Sequence, residues 1–268
     1  MVTIYQKTVK GAELKELERF KVGSWVNVED PTEEEIVGLV KDFGLEEGLI
    51  RDALDPHEVP RTELDEGIAY IYARVPHRTS GDVETTPVLV AVGNTFVMTV
   101  SKRKLPFLEK FTKGKVDFYT TQKTNLFLQI FSEINASYNR LLTYINRRVR
   151  GVSTHLDRIT EKEIVQFVQF ENNLNDFLTA LVPTKNILEK LLSGKYLKLY
   201  EGDRDLTEDL MLNAGQLIEV CRTNVRTITN IREAHSTIMT HSLNRVIKVL
   251  TALTIIFTVP TFIASLYG

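Results

Sequence analysis

The sequence predicts a mixed α+β domain that gives way to long α-helices, the last of which runs on into a transmembrane helix. Three observations carry this. Short apolar runs bounded by Gly, Pro and Asn are confined to about the first 120 residues. From about Thr121 onward Gly and Pro are scarce, and apolar residues recur every three or four positions. The last twenty residues, 249–268, carry no charged side chain. Twenty helical residues at about 1.5 Å each cover about 30 Å, the thickness of a bilayer's hydrocarbon core.

In order along the chain, Ser24-Trp25-Val26-Asn27-Val28 reads as a short strand. Asp30-Pro31-Thr32-Glu33 follows as a helix start, with Asp30 at the N-cap, Pro31 at N1 and Glu33 at N3. That helix is expected to reach about Phe43 and stop at Gly44, and a second short one over 46–53 leads to Pro56 and Pro60. Residues 68–75 read as a strand, and two more, 88–92 and 95–100, flank Gly93-Asn94, a hairpin turn signal.

Beyond Thr121, Leu126, Ile130, Ile134, Tyr138, Leu141, Leu142 and Ile145 fall at helical spacing, and a second long helix is expected over 160–192. Gly194 and Gly202 break the pattern, so 193–203 reads as a loop between antiparallel helices. Asp205 and Glu208 then frame a capping box with no stop signal after it, which makes one helix of about 60 residues, on the order of 90 Å long. The organisation is a mixed α/β domain over 1–120, a helical hairpin over 121–204 packing on the long helix, its soluble part over 205–248, and the span over 249–268. Leu210, Ala214, Leu217, Cys221, Val225, Ile228, Ile231, His235, Ile238 and Ser242 form a seam that requires a partner helix. A neighbouring line, Thr223, Thr227, Asn230, Thr237, His241 and Asn244, is polar but nearly uncharged, where a solvated face normally carries Glu and Lys. It reads either as the lining of a vestibule or as helix packing.

Composition excludes several functions. Lys and Arg number 33 against 35 Asp and Glu, a net charge of −2, so no bulk attraction to nucleic acid follows. The single cysteine, Cys221, cannot form an intramolecular disulfide. The N-terminus lacks the apolar core of a secretory signal, and Arg222, Arg226, Arg232, Arg245 and Lys248 precede the span. Both features place the N-terminal part on the cytoplasmic side of the cell (inner) membrane. No Gly-rich phosphate loop, nucleophile elbow or HExxH pair appears, so the chain is not expected to be an enzyme or to hold an organic cofactor. His57, in Asp55-Pro56-His57-Glu58, reads as a capped loop before it reads as a metal ligand, and Arg147-Arg148 with Arg150 reads as a solvated face.

Two sets of residues carry chemistry. Thr251, Thr254, Thr258, Thr261 and Ser265 are spaced 3, 4, 3 and 4 and share one face of the span. Either they bond back to carbonyls one turn earlier or join this helix to a neighbour, or several copies of the helix turn them toward a water-filled path. The second set is acidic: Glu201, Asp203, Asp205, Glu208 and Asp209 at the start of the long helix, with Asp82 and Glu84 between two strands. Carboxylates there complement the helix dipole, but two or three from adjoining surfaces also suit a hard divalent cation.

With these residues placed, the chain resembles the CorA family of magnesium channels. The resemblance rests on Trp25-Val26-Asn27-Val28, Pro31-Thr32-Glu33-Glu34 and Pro60-Arg61-Thr62-Glu63 before a Tyr-rich strand. The closing runs, 244–251 and 260–268, carry it furthest, because Tyr267-Gly268 begins the family's Gly-Met-Asn selectivity motif. It covers the whole chain and implies a form truncated after the first transmembrane helix. It further implies a funnel-shaped homopentamer in membrane lipid, passing Mg²⁺ and also Co²⁺ or Ni²⁺, with Mg²⁺ both transported and regulatory. The family's pore positions fall on Asn244, Ile247, Leu250, Thr254, Thr258, Thr261 and Ser265, with the selectivity motif starting at Tyr267 and Gly268. The family's regulatory acid matches Asp209, with its partner across the subunit boundary in the stretch from Asp82 to Glu84. The alternatives are the zinc-transporting relatives of the same architecture, or a tail-anchored oligomeric scaffold.

Overall fold

A computed structural model describes residues 1–78, 83–153 and 159–268, except for the side chains of Ala12 and Ser153. Its described strands, β1 (Val2–Thr8), β2 (Gly11–Leu17), β3 (Ser24–Glu29), β4 (Thr62–Asp65), β5 (Ile68–Arg78), β6 (Val83–Val92) and β7 (Phe96–Ser101), form one sheet in the order β2-β1-β3-β7-β6-β5-β4. The β3–β7 pair is parallel and the other pairs are antiparallel. Burial of both faces explains the apolar runs 68–73 of β5, 87–92 of β6 and 96–98 of β7. Trp25, Ile71, Val90 and Val97 bury into one core, whereas Val26, Tyr70, Leu89 and Met98 bury into a second on the other face. Helices α1 (Glu33–Phe43) and α2 (Glu47–Asp52) supply Ile36, Leu39 and Ile50 to the second core. The first is closed by Phe111, in the short helix α3 (Glu109–Thr112), by Phe118, and by Phe127 and Phe131 of α4 (Lys123–Ser153).

Helices α4, α5 (Glu161–Leu192) and α6 (Glu201–Tyr267) continue that first core away from the sheet. Leu174, Phe177, Leu181 and Leu188 of α5 and Tyr138 and Leu142 of α4 bury with Leu210, Ala214, Leu217, Cys221, Ile228 and Ile231 of α6. The seam expected on the long helix therefore has its partners as far as Ile231. Beyond that His235 is half-buried, and Ile238 and Ser242 are exposed.

Several expectations are corrected. Strands β1, β2 and β4 are not among the expected elements, although β1 is rich in β-branched residues. The Gly11–Leu17 strand holds Glu13, Lys15 and Glu16, as an outer strand in contact with water does. The first helix is capped two residues later than expected. Thr32 Oγ1 accepts from the Glu35 N–H at 3.2 Å and Glu35 Oε2 accepts from the Thr32 N–H at 2.9 Å, a complete reciprocal box. Asp30 instead takes a left-handed backbone (φ 45°) and donates its N–H to the carbonyl of Ser101 at 2.8 Å, so pairing to β7 claims it. The long helix starts at Glu201 and not near Asp205, because Asp203 accepts the N–H of Tyr200 at 3.3 Å. Gly202, read as part of a loop, lies in that first turn. At 67 residues α6 is longer than expected, on the order of 100 Å.

Cys221 is fully buried, and burial pushes its thiol up to about 12. The nucleophile is the thiolate, so at neutral pH the folded protein should resist maleimide and label promptly only in denaturant, as mass spectrometry would show. Fast labelling of the folded chain would contradict the packing of α6 on α5.

Candidate ion pathway along the long helix

Packing divides α6 into two faces. Glu171 of α5 pairs with Arg232 at 2.6 Å, and Asn135 of α4 donates from Nδ2 to the carbonyl of Leu210 at 3.2 Å, so both helices lie on the side marked by Leu210, Leu217, Asn224 and Ile231. Thr223, Asn230, Thr237, His241 and Asn244 are exposed, and Thr227 is half-buried. The polar line thus runs mostly outside the face that α4 and α5 cover, and packing within one chain does not account for it. Asn135 was not foreseen from sequence. Its signal is an amide next to Ile134 in an otherwise apolar ridge, and it sets α4 in register with the turn that carries Asp209.

From residue 236 to the end every side chain is exposed, so the span has no partner among the described residues. Asn244, Ile247, Leu250, Thr254, Thr258, Thr261 and Ser265 all lie on this bare rod, as do Tyr267 and Gly268. Four hydroxyls are engaged locally. Thr251 donates to the carbonyl of Ile247 at 2.8 Å, Thr254 to Leu250 at 2.9 Å, Thr258 to Thr254 at 2.7 Å and Thr261 to Phe257 at 2.7 Å. The back-bonding weighed from sequence is therefore present. It uses each hydroxyl's one proton and leaves its lone pairs directed outward as acceptors. Helix α6 continues through Pro260 to Tyr267, although proline provides no N–H for the carbonyl of Ile256.

The acidic candidates fall on different elements, Glu201, Asp203, Asp205, Glu208 and Asp209 in the first turns of α6 and Glu84 on β6. Asp209 is exposed on α6, and Glu84 is exposed on β6 with Oε2 3.6 Å from His77 Nε2. Burial, helped by the nearby Arg103 charge, holds His77 below its usual range, and Arg103 Nη1 lies 3.0 Å from its Nε2. Asp82 lies outside the described residues. Among the described residues no group of three His, Cys, Asp or Glu side chains could hold a metal ion. His57 donates its backbone N–H to Asp55 Oδ1 at 2.9 Å, the capped loop expected of it.

A family model described as CorA-like Mg²⁺ transporter protein matches residues 20–268. The chain belongs to this family. It is 26% identical over 255 residues to the cobalt/magnesium transport protein CorA of Methanocaldococcus jannaschii, covering 91% of this chain and 78% of that one. The solved CorA magnesium transporter of that organism shares the fold with a TM-score of 0.86 at 23% identity, over 100% of this chain and 86% of the other. The cytoplasmic domain of ZntB from Vibrio parahaemolyticus is similar at a TM-score of 0.74 and 11% identity, over 89% of this chain and 98% of that domain. As a CorA-like chain, the protein pairs a mixed sheet domain and long helices with a transmembrane helix. Its family consists of transporters, not enzymes.

Proposed function

We propose that the chain is the cytosolic part and the pore-lining first membrane helix of a passive, homopentameric divalent-cation channel, with Mg²⁺ as cargo and as feedback regulator. The observation that carries this reading is the nearly uncharged polar line of α6, exposed in the single chain and continued into the span by hydroxyls whose protons are already used. A hydrated cation turns the hydrogens of its water shell outward, and such hydroxyls offer it acceptors. Mg²⁺ gives up its water reluctantly, so rings of Asn244 amides and Thr254, Thr258 and Thr261 hydroxyls would pass it with its shell, through outer hydrogen bonds. Ile247 and Leu250 would form the apolar constriction between the Asn244 ring and the hydroxyls. Asp209, with Glu84 or Asp82 of a neighbouring copy, would form the weak regulatory site, since hard cations take carboxylate oxygen.

The ZntB likeness supports a second reading, zinc as cargo. Apart from His241 the line is made of hydroxyls and amides, which favours Mg²⁺, because zinc prefers nitrogen and sulfur ligands.

Single cysteines at Thr254, Thr258 and Thr261, in the membrane-embedded protein, should cross-link between copies and react with small aqueous thiol reagents, while cysteines at Ile255 and Phe262 stay unreactive. The opposite pattern would make the hydroxyl face a helix-packing or lipid-facing surface and sink the channel reading.

A further inference from the structure

Strands β5 and β6 outrun the sheet that holds them. Strand β4 pairs with β5 over Ile68–Ile71 and β7 with β6 over Leu89–Val92, so 73–78 and 83–88 run on as a two-stranded ribbon, in which Glu84 stands opposite His77. A two-stranded ribbon is marginally stable by itself, so its course is set by what grips it. One face is held by apolar packing. Ala73, Val75 and Val88 bury in the first core, and Tyr138 of α4, edge to face with Phe177 of α5 at 5.1 Å, donates its hydroxyl to the carbonyl of Arg74 at 2.9 Å.

Alternation turns the Arg74 side chain to the other face, where it acts as a clamp. Its Nε donates to Thr85 Oγ1 and its Nη2 to the Thr85 carbonyl, both at 2.8 Å. Its Nη1 donates to the carbonyls of Pro56 at 2.9 Å and Glu58 at 2.6 Å. Neither neighbouring strand provides a donor for the Thr85 carbonyl, because Pro76 opposite it has no N–H and the pairing of β7 stops at Leu89. The loop on the far side of the clamp is itself tied down. Glu58 pairs with Arg61 at 3.0 Å, and Arg61 pairs with Asp52 of α2 at 2.6 Å. The guanidinium of Arg74 thus joins an anchored loop to the residue that follows Glu84.

We propose that Arg74 is a positioning residue of the regulatory cation site: by holding Thr85 it fixes where Glu84 stands relative to Asp209 of a neighbouring copy, without touching the ion. The inference rests on the regulatory reading of Asp209 and Glu84. Groups that orient a metal ligand from behind typically account for about 10–100-fold in affinity. Charge alone would act with the opposite sign, since a guanidinium near carboxylates competes with a cation and its removal would tighten binding. Lysine keeps the charge but lacks the planar fork that spans Thr85 and both loop carbonyls.

The test reads the Mg²⁺ concentration that protects the whole chain, assembled in membrane-like detergent, from protease. Arg74→Lys and Arg74→Met should each raise it about tenfold. Thr85→Val, which removes one acceptor and keeps a β-branched side chain, should raise it by less. With Glu84→Gln already in place, Arg74→Lys should add no further shift, whereas general loosening of the fold would add its own. A lower Mg²⁺ requirement in Arg74→Met, or a shift in Arg74→Lys that adds to that of Glu84→Gln, overturns the proposal. If the Arg74 variants do not assemble, Thr85→Val decides, and an unchanged requirement there overturns it. Absence of Mg²⁺ protection in the unaltered chain, or an unchanged requirement in Asp209→Asn, would sink the regulatory reading and this inference with it. A shift in Asp209→Asn with none in Arg74→Lys or Thr85→Val sinks this inference alone.

Discussion

Replacing Trp25 with alanine should cost about 3–5 kcal/mol of folding stability, the usual cost of truncating a buried Trp to Ala, against a total of about 5–15 kcal/mol. Trp25 is fully buried and stacks among Tyr5, Phe111 and Phe118, with ring centroids at 5.3, 5.8 and 6.3 Å. It ties the sheet to the segment that leads into α4. Its Nε1–H donates to Thr99 Oγ1 at 3.0 Å, and that hydroxyl donates in turn to Asn27 Oδ1 at 2.8 Å. Trp25→Phe keeps most of the apolar volume but removes the donor and leaves a small cavity, so it should cost about 1–2 kcal/mol. Denaturant midpoints followed by circular dichroism separate the two variants. Equal, small losses would mean that α4 and the sheet unfold independently.

Asp209→Asn should raise, by at least about tenfold, the Mg²⁺ concentration that protects the assembled protein from protease, since an interaction with a charged group contributes about 1.5–3 kcal/mol. Mg²⁺ would neutralise carboxylates that otherwise repel across a boundary between copies, and opening would separate those ligands, so the ion favours the closed assembly. Glu84→Gln should act in the same direction if it supplies the partner. Unchanged protection in Asp209→Asn would reduce Asp209 to a carboxylate that complements the start of a helix. A smaller mass than a pentamer in membrane-like detergent would remove the boundary on which this depends.

The elements legible in advance are those whose signal lies within one segment. Gly44 ends α1 at φ 64°, α5 occupies the span expected over 160–192, and the periodicity of Ile130, Ile134 and Tyr138 marks α4. Strand β2 was not legible, because its Glu13, Lys15 and Glu16 suit a helix as well as a strand and only pairing to β1 decides. The displaced cap of α1 has the same origin. Asp30 has the chemistry of an N-cap, but its backbone is claimed by Ser101, which is distant in sequence.

The candidate site divides in the same way. Spacing of 3 and 4 along 249–268 by itself determined that the hydroxyls share a face, and the absence of charge there determined that the segment can cross a bilayer, because both follow from helix geometry and chain composition alone. Only the tertiary structure decided that α4 and α5 cover the opposite side of α6, that the seam thins beyond Ile231 to a half-buried His235 and an exposed Ile238, and that Asp209 and Glu84 are exposed on different elements. These depend on which surfaces of distant segments meet. A periodic sequence states that a helix has a face to bury, but the partner for that face is chosen by packing among residues that the local pattern does not connect.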